Sequence, residues 1–211
     1  MVQRQLDGRD VNDPLVLAAM GKVERERFVP GEYRAEAYND GPLPIGYEQT
    51  ISQPYIVGLM TQALGLQGGE HILEIGTGSG YAAAVLGEIA ESVVTMEYVL
   101  PLADRARKLL KKLGYQNITV ISGDGTMGYP QSAPYDGIIV TAGGPDVPES
   151  LLNQLTDGGR LVIPVGSSKS FQQLVRVTKH RNGEFAREVL CDVRFVPLIG
   201  EQGWPQGGRE E

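Results

Sequence analysis

Cysteine and histidine are the scarcest reactive residues in this chain of 211 residues, which holds one cysteine and two histidines. A single thiol, Cys191, rules out an internal disulfide and any cysteine-based metal cluster. His71 and His180 lie far apart in the sequence and lack the spacing of a zinc site. We therefore expect neither a disulfide framework nor a metal site.

Positive charge is also in short supply, because 19 Lys and Arg residues face 26 Asp and Glu residues and the formal net charge is -7. A nucleic-acid groove needs a surplus of basic side chains to neutralise phosphates, so we expect no nucleic-acid partner. No apolar run approaches the ~20 residues of a membrane span. Met1–Asp10 is polar and has no apolar signal region. These features predict a cytoplasmic protein without a membrane partner.

Glycine, in contrast, is abundant at 28 residues, and the length suits one compact domain. We divide the domain 1–211 into an N-terminal helical and irregular addition (1–68), a core (69–166) and C-terminal strands with a tail (167–211). Asp13-Pro14 predicts a helix that runs to about Val23, and Ser52-Gln53-Pro54 predicts a second helix start. The segment Arg25–Gln49 between them is expected to be irregular. The glycine-rich tail Gly203–Glu211 is expected to be mobile.

From His71 onward, apolar segments typical of strands alternate with helical segments. The predicted strands are His71–Ile75, Val93–Glu97, Ile118–Ser122, Tyr135–Thr141 and Arg160–Pro164. The predicted helices are Tyr81–Ala90, Leu102–Leu113 and Pro148–Leu155. Because parallel strands need crossover connections, this alternation predicts an α/β fold with a doubly wound, Rossmann-like, mostly parallel sheet. Asn182-Gly183, between the β-rich runs Gln173–Lys179 and Phe185–Val196, predicts a final antiparallel hairpin.

A glycine-rich loop follows the first predicted strand of this core. Its sequence, Gly76-Thr77-Gly78-Ser79-Gly80, allows a sharp turn and a close approach of the backbone to a ligand. Glu97 ends the next strand, 21 residues after Gly76. A carboxylate at that point can accept hydrogen bonds from both ribose hydroxyls, so the unit is predicted to bind a nucleoside.

The details of the loop favour one class of nucleoside. The dinucleotide fingerprint requires G-x-G-x-x-G, but Tyr81 stands where its last glycine belongs. Glu74 precedes the loop by two residues, where it would repel a pyrophosphate and suit a cationic amino group. S-adenosylmethionine carries an ammonium and a sulfonium but no phosphate, so we favour this methyl donor over a nicotinamide dinucleotide.

Two further segments have both a functional and a structural interpretation. Asp124, in Gly123-Asp124-Gly125 after the third strand, could accept a hydrogen bond from an adenine amine. It could equally cap a tight turn, which is a common use of Asp-Gly. Ser52 could contact a substrate, or it could cap the helix that starts at Pro54.

Three stretches of the chain resemble one enzyme family. GPLPIGYEQTISQPYIVGLMTQAL at Gly41–Leu64 and HILEIGTGSGYAAAVLGEI at His71–Ile89 resemble signatures of the protein-L-isoaspartate (D-aspartate) O-methyltransferases. RFVPLIGEQGW at Arg194–Trp204 resembles the C-terminal motif of that family. The resemblance extends roughly from Leu15 to Trp204. The TISQP and FVPL stretches are its most specific parts, because they lie outside the donor-binding unit that many methyltransferases share.

The resemblance implies a seven-stranded methyltransferase sheet, S-adenosyl-L-methionine as the donor, and isoaspartyl-containing proteins and peptides as substrates. It implies that Ser52 is the catalytic residue beside the methyl group. On this basis we assign the donor to Thr50, Ile51, Glu74, Gly76, Thr77, Gly78, Ser79, Gly80, Glu97, Gly123, Asp124, Gly125 and Thr141. We assign the substrate to Ser52, Ala142, Val196, Pro197 and Leu198. We expect a monomer.

The implied reaction needs little acid–base chemistry. A carboxylate with a pKa of about 4 is already ionised at neutral pH and can attack the methyl carbon directly. Ala82, Gly143-Gly144 and Ile199 depart from the family pattern, which affects fine substrate preference rather than the reaction. A small-molecule methyltransferase, a nicotinamide-dependent dehydrogenase and a non-enzymatic nucleoside-binding module are the alternatives. Asn182-Gly183 also forms a succinimide readily in principle, so we ask whether the protein damages and methylates itself.

Overall fold

The computed structural model describes residues 1–206, which form a seven-stranded sheet and a separate two-stranded hairpin. The strands are β1 Leu43–Gly46, β2 Gln49–Ile51, β3 His71–Ile75, β4 Ser92–Glu97, β5 Ile118–Ser122, β6 Tyr135–Val140, β7 Leu155–Ser168, β8 Phe171–Lys179 and β9 Phe185–Val193. The helices are α1 Pro14–Lys22, α2 Pro54–Leu64, α3 Tyr81–Gly87, α4 Leu100–Leu113 and α5 Glu149–Leu152. Strands β1 and β2 form the hairpin.

The order of strands in the large sheet is β5-β4-β3-β6-β7-β8-β9. The first five of these are parallel, and β8 and β9 are antiparallel to their preceding neighbours. The predicted α/β sheet and its final hairpin are therefore confirmed. The order reverses between β3 and β6, and ligands of open α/β sheets bind at such a reversal, beside the carboxyl ends of the strands.

Apolar side chains are buried on both faces of the sheet because alternate residues of a strand point to opposite faces. Ile72 and Val93 pack into the cluster that helices α1 to α4 cover. Their neighbours Leu73 and Val94 pack into a second cluster on the other face, beneath α5 and the C-terminal segment around Leu198. No helix among residues 1–206 is long and apolar enough to cross a membrane.

Local signals determine the ends of the N-terminal helices. The carboxylate of Asp13 caps α1 by accepting hydrogen bonds from the backbone N–H groups of Leu15 and Val16, at 2.9 and 3.2 Å. Helix α2 ends at Gly65, which adopts a left-handed conformation with φ of 65°. The residue that caps the start of α2 is Gln53, without a side-chain hydrogen bond. Ser52 is therefore not the helix cap.

Several predicted bounds differ from the structure. The segment expected to be irregular contains two short 3-10 helices, Arg25–Phe28 and Gly31–Glu36, and the strand β1. Strand β7 is much longer than predicted, because antiparallel pairing with β8 extends it well beyond its contact with β6. Helix α5 has four residues rather than eight, since β7 already begins at Leu155.

The C-terminal segment folds back against the sheet. The N–H of Gly143 donates to the carbonyl of Val196, and the N–H of Leu198 donates to the carbonyl of Gly143, both at 2.8 Å. The backbone N–H of Trp204 donates to the carbonyl of Leu198 at 2.7 Å. The part of the expected mobile tail up to residue 206 is thus folded onto the protein. Residues 207–211 lie outside the described part of the chain.

Candidate functional site

A cavity opens at the carboxyl ends of β3, β4 and β6, where the strand order reverses. Its wall combines the hairpin strand β2, the loop before α2, the glycine loop and the C-terminal segment. The lining residues are Gln49, Thr50, Ile51, Ser52, Val57, Ile75, Gly76, Thr77, Gly78, Ser79, Tyr81, Ala82, Met96, Glu97, Tyr98, Val99, Gly125, Thr141, Ala142, Val196, Pro197, Leu198 and Ile199. No Lys or Arg is among these described residues.

The glycine loop depends on backbone angles that other residues rarely adopt. Gly76, Gly78 and Gly80 have φ values of 99°, 53° and 87°. A Cβ atom on Gly76 would lie 2.4 Å from the hydroxyl oxygen of Thr141, which has no room to move because it bonds the carbonyl of Gly76 at 2.7 Å. The loop is therefore held against the end of β6, with its backbone facing the cavity.

Glu97 stands at the end of β4 with its carboxylate held by two backbone groups. One oxygen accepts from the N–H of Gly78 at 2.7 Å, and the other accepts from the N–H of Val99 at 2.9 Å. The side chain is 6% exposed but reaches the cavity wall. Each carboxylate oxygen has more than one acceptor site, so both can accept a further hydrogen bond from a pair of ligand hydroxyls.

Ser52 and the two residues before it form one continuous stretch of the cavity wall. Thr50 and Ile51 belong to β2, and Ser52 lies in the two-residue link between β2 and α2. Its hydroxyl makes no hydrogen bond to any described residue, and the side chain is half-buried. Ser52 therefore presents a free hydroxyl to the cavity.

A second hollow adjoins the cavity on the side of β8 and β9. It is lined by Pro42, Thr50, Ser52, Gln53, Ile56, Thr141, Ser170, Phe171, Asp192, Val193, Arg194, Phe195 and Val196. We call this hollow the groove. Four residues, namely Thr50, Ser52, Thr141 and Val196, line both the cavity and the groove. The two spaces therefore meet at Ser52.

Two carboxylates predicted to hold the donor do not reach the cavity. Glu74 is fully buried within the sheet, and its Oε2 accepts from the hydroxyl of Thr95 at 2.5 Å. Asp124 accepts from the N–H of Thr126 at 2.9 Å and from the N–H of Glu201 at 2.7 Å. Contacts of these two carboxylates with the donor stay predictions. Asp124 caps a turn and anchors the C-terminal segment, which is the structural interpretation of its sequence.

Glu74 is instead a buried acid behind the glycine loop. Its contact Thr95 also bonds the hydroxyl of Thr77 at 2.6 Å, so Glu74 reaches the cavity wall only through these two hydroxyls. Burial, together with the nearby charge of Glu97, raises the pKa of Glu74 to about 8 despite the opposing bond from Thr95. The acid is therefore mostly neutral at pH 7. Two predicted glycines, Gly80 and Gly123, also lie outside the wall.

Sequence reasoning missed several residues of the site. Tyr98 and Val99 form part of the wall because they directly follow Glu97, and that adjacency could have indicated them. Arg25 lies behind Ser52 and donates to its carbonyl at 2.8 Å. Arg25 stands in the segment that was expected to be irregular, and no pattern in the sequence pointed to it.

A sequence profile of the protein-L-isoaspartate(D-aspartate) O-methyltransferase family matches residues 1–203. The chain belongs to this family. Protein-L-isoaspartate O-methyltransferase of Rhodopseudomonas palustris is 59% identical over 206 residues, which cover 98% of this chain and 94% of the relative. Protein-L-isoaspartate O-methyltransferase 2 of Pelobacter propionicus is 56% identical over 204 residues, which cover 97% of this chain and 91% of the relative.

Solved structures of protein-L-isoaspartate O-methyltransferases share the fold. One superposes with a TM-score of 0.86 at 30% identity, and the match covers 96% of this chain and 67% of the chain of that structure. Another, from Plasmodium falciparum in complex with S-adenosyl-L-homocysteine, gives a TM-score of 0.80 at 25% identity over 94% of this chain and 96% of its own. The family that the three sequence stretches indicated is therefore confirmed, and with it the fold.

Proposed function

We propose that the chain performs the reaction of its family, with the donor in the cavity and the substrate in the groove. A methyl group passes from S-adenosyl-L-methionine to the free α-carboxylate of an L-isoaspartyl residue in a damaged protein or peptide. The products are S-adenosyl-L-homocysteine and a methyl ester that can revert through a succinimide. The observation that carries the proposal is that the cavity and the groove meet at Ser52. A donor in the cavity and an acceptor in the groove would come into contact there.

The cavity wall fits S-adenosyl-L-methionine better than a dinucleotide. Glu97 has two spare acceptor sites for the ribose hydroxyls, and its charge favours a cationic ligand. No Lys or Arg among the described lining residues would offset the charge of a pyrophosphate. The residues that would hold the donor are Thr50, Ile51, Gly76, Thr77, Gly78, Ser79, Glu97, Gly125 and Thr141.

The chemistry asked of the protein is positioning. The donor, when bound, supplies an electrophilic methyl group on a sulfonium. The acceptor carboxylate is already ionised at neutral pH, so no residue needs to remove a proton. This agrees with the lining of the cavity, whose described residues include no histidine. Correct alignment of two reactants can supply up to ~7–11 kcal/mol in ideal cases.

Ser52 would align the acceptor. Its free hydroxyl can donate to one carboxylate oxygen and leave the other aimed at the methyl carbon. Ala142 and Val196–Leu198 form an apolar wall beside it, and Leu198 is 4% exposed. Such a wall excludes water from the carboxylate, which strengthens its interactions within the site. The segment Val196–Leu198 would also hold the backbone of the substrate. We also propose that the protein is a monomer and that it acts in the cytoplasm.

The test uses two synthetic peptides that differ only in one L-isoaspartyl or normal aspartyl linkage. Each is incubated with the protein and S-adenosyl-L-methionine labelled in its methyl group. We expect base-labile label on the isoaspartyl peptide alone. Equal label on both peptides would contradict the selectivity, and no label on either, with donor binding shown by calorimetry, would contradict the acceptor.

A further inference from the structure

Arg25 is a fully buried arginine without a carboxylate partner. Its side chain is 0% exposed, and no salt bridge within residues 1–206 includes it. Burial lowers the pKa of its guanidinium, which shows that the charged form is held at a cost in solvation. Its polar atoms bond main-chain carbonyls and its cation faces an aromatic ring instead of a carboxylate. The guanidinium therefore contributes directed hydrogen bonds rather than an ion pair.

The contacts of Arg25 join Ala37 to two segments that build the site. Its Nε donates to the carbonyl of Ala37 at 2.7 Å, and its Nη2 donates to the carbonyl of Ser52 at 2.8 Å. The guanidinium carbon lies 4.8 Å from the centre of the Tyr81 ring, within the range of a cation–π contact. Tyr81 begins α3 directly after the glycine loop and lines the cavity.

These contacts give Arg25 a role in geometry rather than in chemistry. Ser52 lies on the acceptor side of the site, and Tyr81 lies on the donor side. A rigid planar guanidinium that bonds the main chain of Ser52 and stacks on Tyr81 holds the two sides at a constant separation. Two of its donors are used in fixed directions, which a lysine could not reproduce because its charge is a single point.

We propose that Arg25 is a positioning residue, which holds the main chain of Ser52 in the position required for methyl transfer. The inference rests on the proposed function, since it assigns Ser52 to the acceptor. Without the bond from Nη2, the link between β2 and α2 can shift. A misplacement of about 1 Å in an active site can cost about 100-fold in rate.

The experiment compares Arg25→Met, which keeps an unbranched apolar stem but removes the guanidinium, with Arg25→Lys, which keeps the charge. Val16→Ala is the matched control, because Val16 is 1% exposed in the apolar cluster that also contains Tyr81 but does not line the cavity or the groove. We expect Arg25→Met to lower kcat for an isoaspartyl peptide about 10–100-fold. We expect the Kd of S-adenosyl-L-homocysteine to change less than about threefold, because an arrangement that matters only in the transition state changes kcat and not the binding of the donor. We expect Arg25→Lys to restore little of the rate, because an ammonium cannot reproduce the two directed hydrogen bonds.

A double-mutant cycle separates positioning from general destabilisation. If Arg25 acts through Ser52, then Arg25→Met should have little further effect on kcat in a Ser52→Ala background. The inference would be overturned if the two substitutions lowered kcat by independent factors that multiply in the double variant. It would also be overturned if Val16→Ala lowered kcat as much as Arg25→Met does. Should Arg25→Met fail to fold, the same cycle is run with Arg25→Lys.

Hydrogen exchange provides a readout that does not depend on turnover. We expect Arg25→Met and Arg25→Lys to speed amide exchange in residues 50–57 selectively, while Val16→Ala leaves that segment unchanged. Unchanged exchange there in both Arg25 variants would overturn the inference. If the wild-type chain transfers no methyl group to the peptide, the proposed function fails, yet the exchange data still decide whether Arg25 holds the Ser52 segment.

Discussion

Replacing Glu74 by glutamine should remove a pH-dependent loss of stability that the buried carboxyl imposes on the folded protein. Glu74 is 0% exposed, and only the hydroxyl of Thr95 bonds its carboxylate. Burial and the charge of Glu97 raise its folded-state pKa to about 8 from an ordinary value of 4.5. Glutamine has nearly the same shape as the neutral acid but cannot ionise.

The sign of the effect follows from which state holds the proton. Between pH 4.5 and about 8, the folded protein keeps the proton of Glu74 while the unfolded chain has released it. The free energy of unfolding therefore falls as the pH rises, by about 1.4 kcal/mol per pH unit for one proton. The stability that the bound proton of Glu74 contributes is fully present below the pKa of the unfolded chain. It is lost as the pH rises to the pKa of Glu74 in the folded protein. From pH 5 to pH 8 the loss is about 4 kcal/mol at most.

The assay is urea unfolding of the wild type, Glu74→Gln and the control Glu91→Gln at pH 5 and pH 8. Glu91 is exposed, so its replacement leaves the burial of other acids unchanged. The second oxygen of Glu74 has no partner, so the glutamine amide costs about 1–3 kcal/mol at every pH. The prediction therefore concerns the difference between the two pH values and not the absolute stability.

We expect the wild type and Glu91→Gln to lose stability together between pH 5 and pH 8, and Glu74→Gln to lose about 2–4 kcal/mol less. Parallel curves for the wild type and Glu74→Gln would refute the argument. They would mean that Glu74 is ionised in the folded protein at both pH values, and that water or a structural shift solvates it.

Three other predictions concern the site and the hairpin turn. Glu97→Ala should weaken S-adenosyl-L-homocysteine binding in calorimetry about 10–100-fold, because a charge-assisted bond to a ligand hydroxyl is worth about 1.5–3 kcal/mol. Ser52→Ala should leave that Kd unchanged but lower kcat for an isoaspartyl peptide about 10–100-fold, since the lost bond orients only the acceptor. Self-methylation at Asn182 should be absent from protein aged in its folded state and should appear after ageing in urea. In the folded turn, the N–H of Gly183, which must attack the Asn182 side chain, donates to the carbonyl of His180 at 2.9 Å.

Controls make these outcomes decisive. Glu70→Ala removes a carboxylate that caps an exposed turn away from the cavity, so it should leave donor binding unchanged. Wild-type binding by Glu97→Ala would remove Glu97 from the donor site. Full turnover by a folded Ser52→Ala would remove Ser52 from the mechanism. Label at Asn182 after ageing of the folded protein would contradict the protection that we assign to the turn.

The main sheet was largely predictable because its signals are local. Strand β5, Ile118–Ser122, has the predicted bounds, and β3 ends where the glycine loop begins. The N-terminal addition was less predictable, since β1 and β2 are short and pair with each other rather than with the sheet. Helix α3 ends at Gly87 rather than at the predicted Ala90, and β4 begins at Ser92.

The site divides in the same way between local and distant contributions. The glycine loop and Glu97 could be predicted from the sequence because the loop directly follows β3 and Glu97 ends β4. These two strands are parallel neighbours in the sheet. Glu74 and Asp124 were assigned to the donor from their sequence position alone. Glu74 is fully buried, and Asp124 bonds a segment 77 residues away. Neither burial nor a distant partner can be read from the residues on either side.

The sequence by itself determined the order of the core strands and helices along the chain and the glycine loop, because these depend on apolar periodicity, glycine conformation and short spacing. It indicated the family through the resemblance of three stretches to the motifs of that family. Only the tertiary structure decided that Ser52, Thr141 and Val196 share one wall between cavity and groove. It also decided that Arg25 supports that wall from behind. These relations are formed by residues far apart in the chain, whose contacts arise from the packing of whole elements and leave no periodic pattern in the sequence.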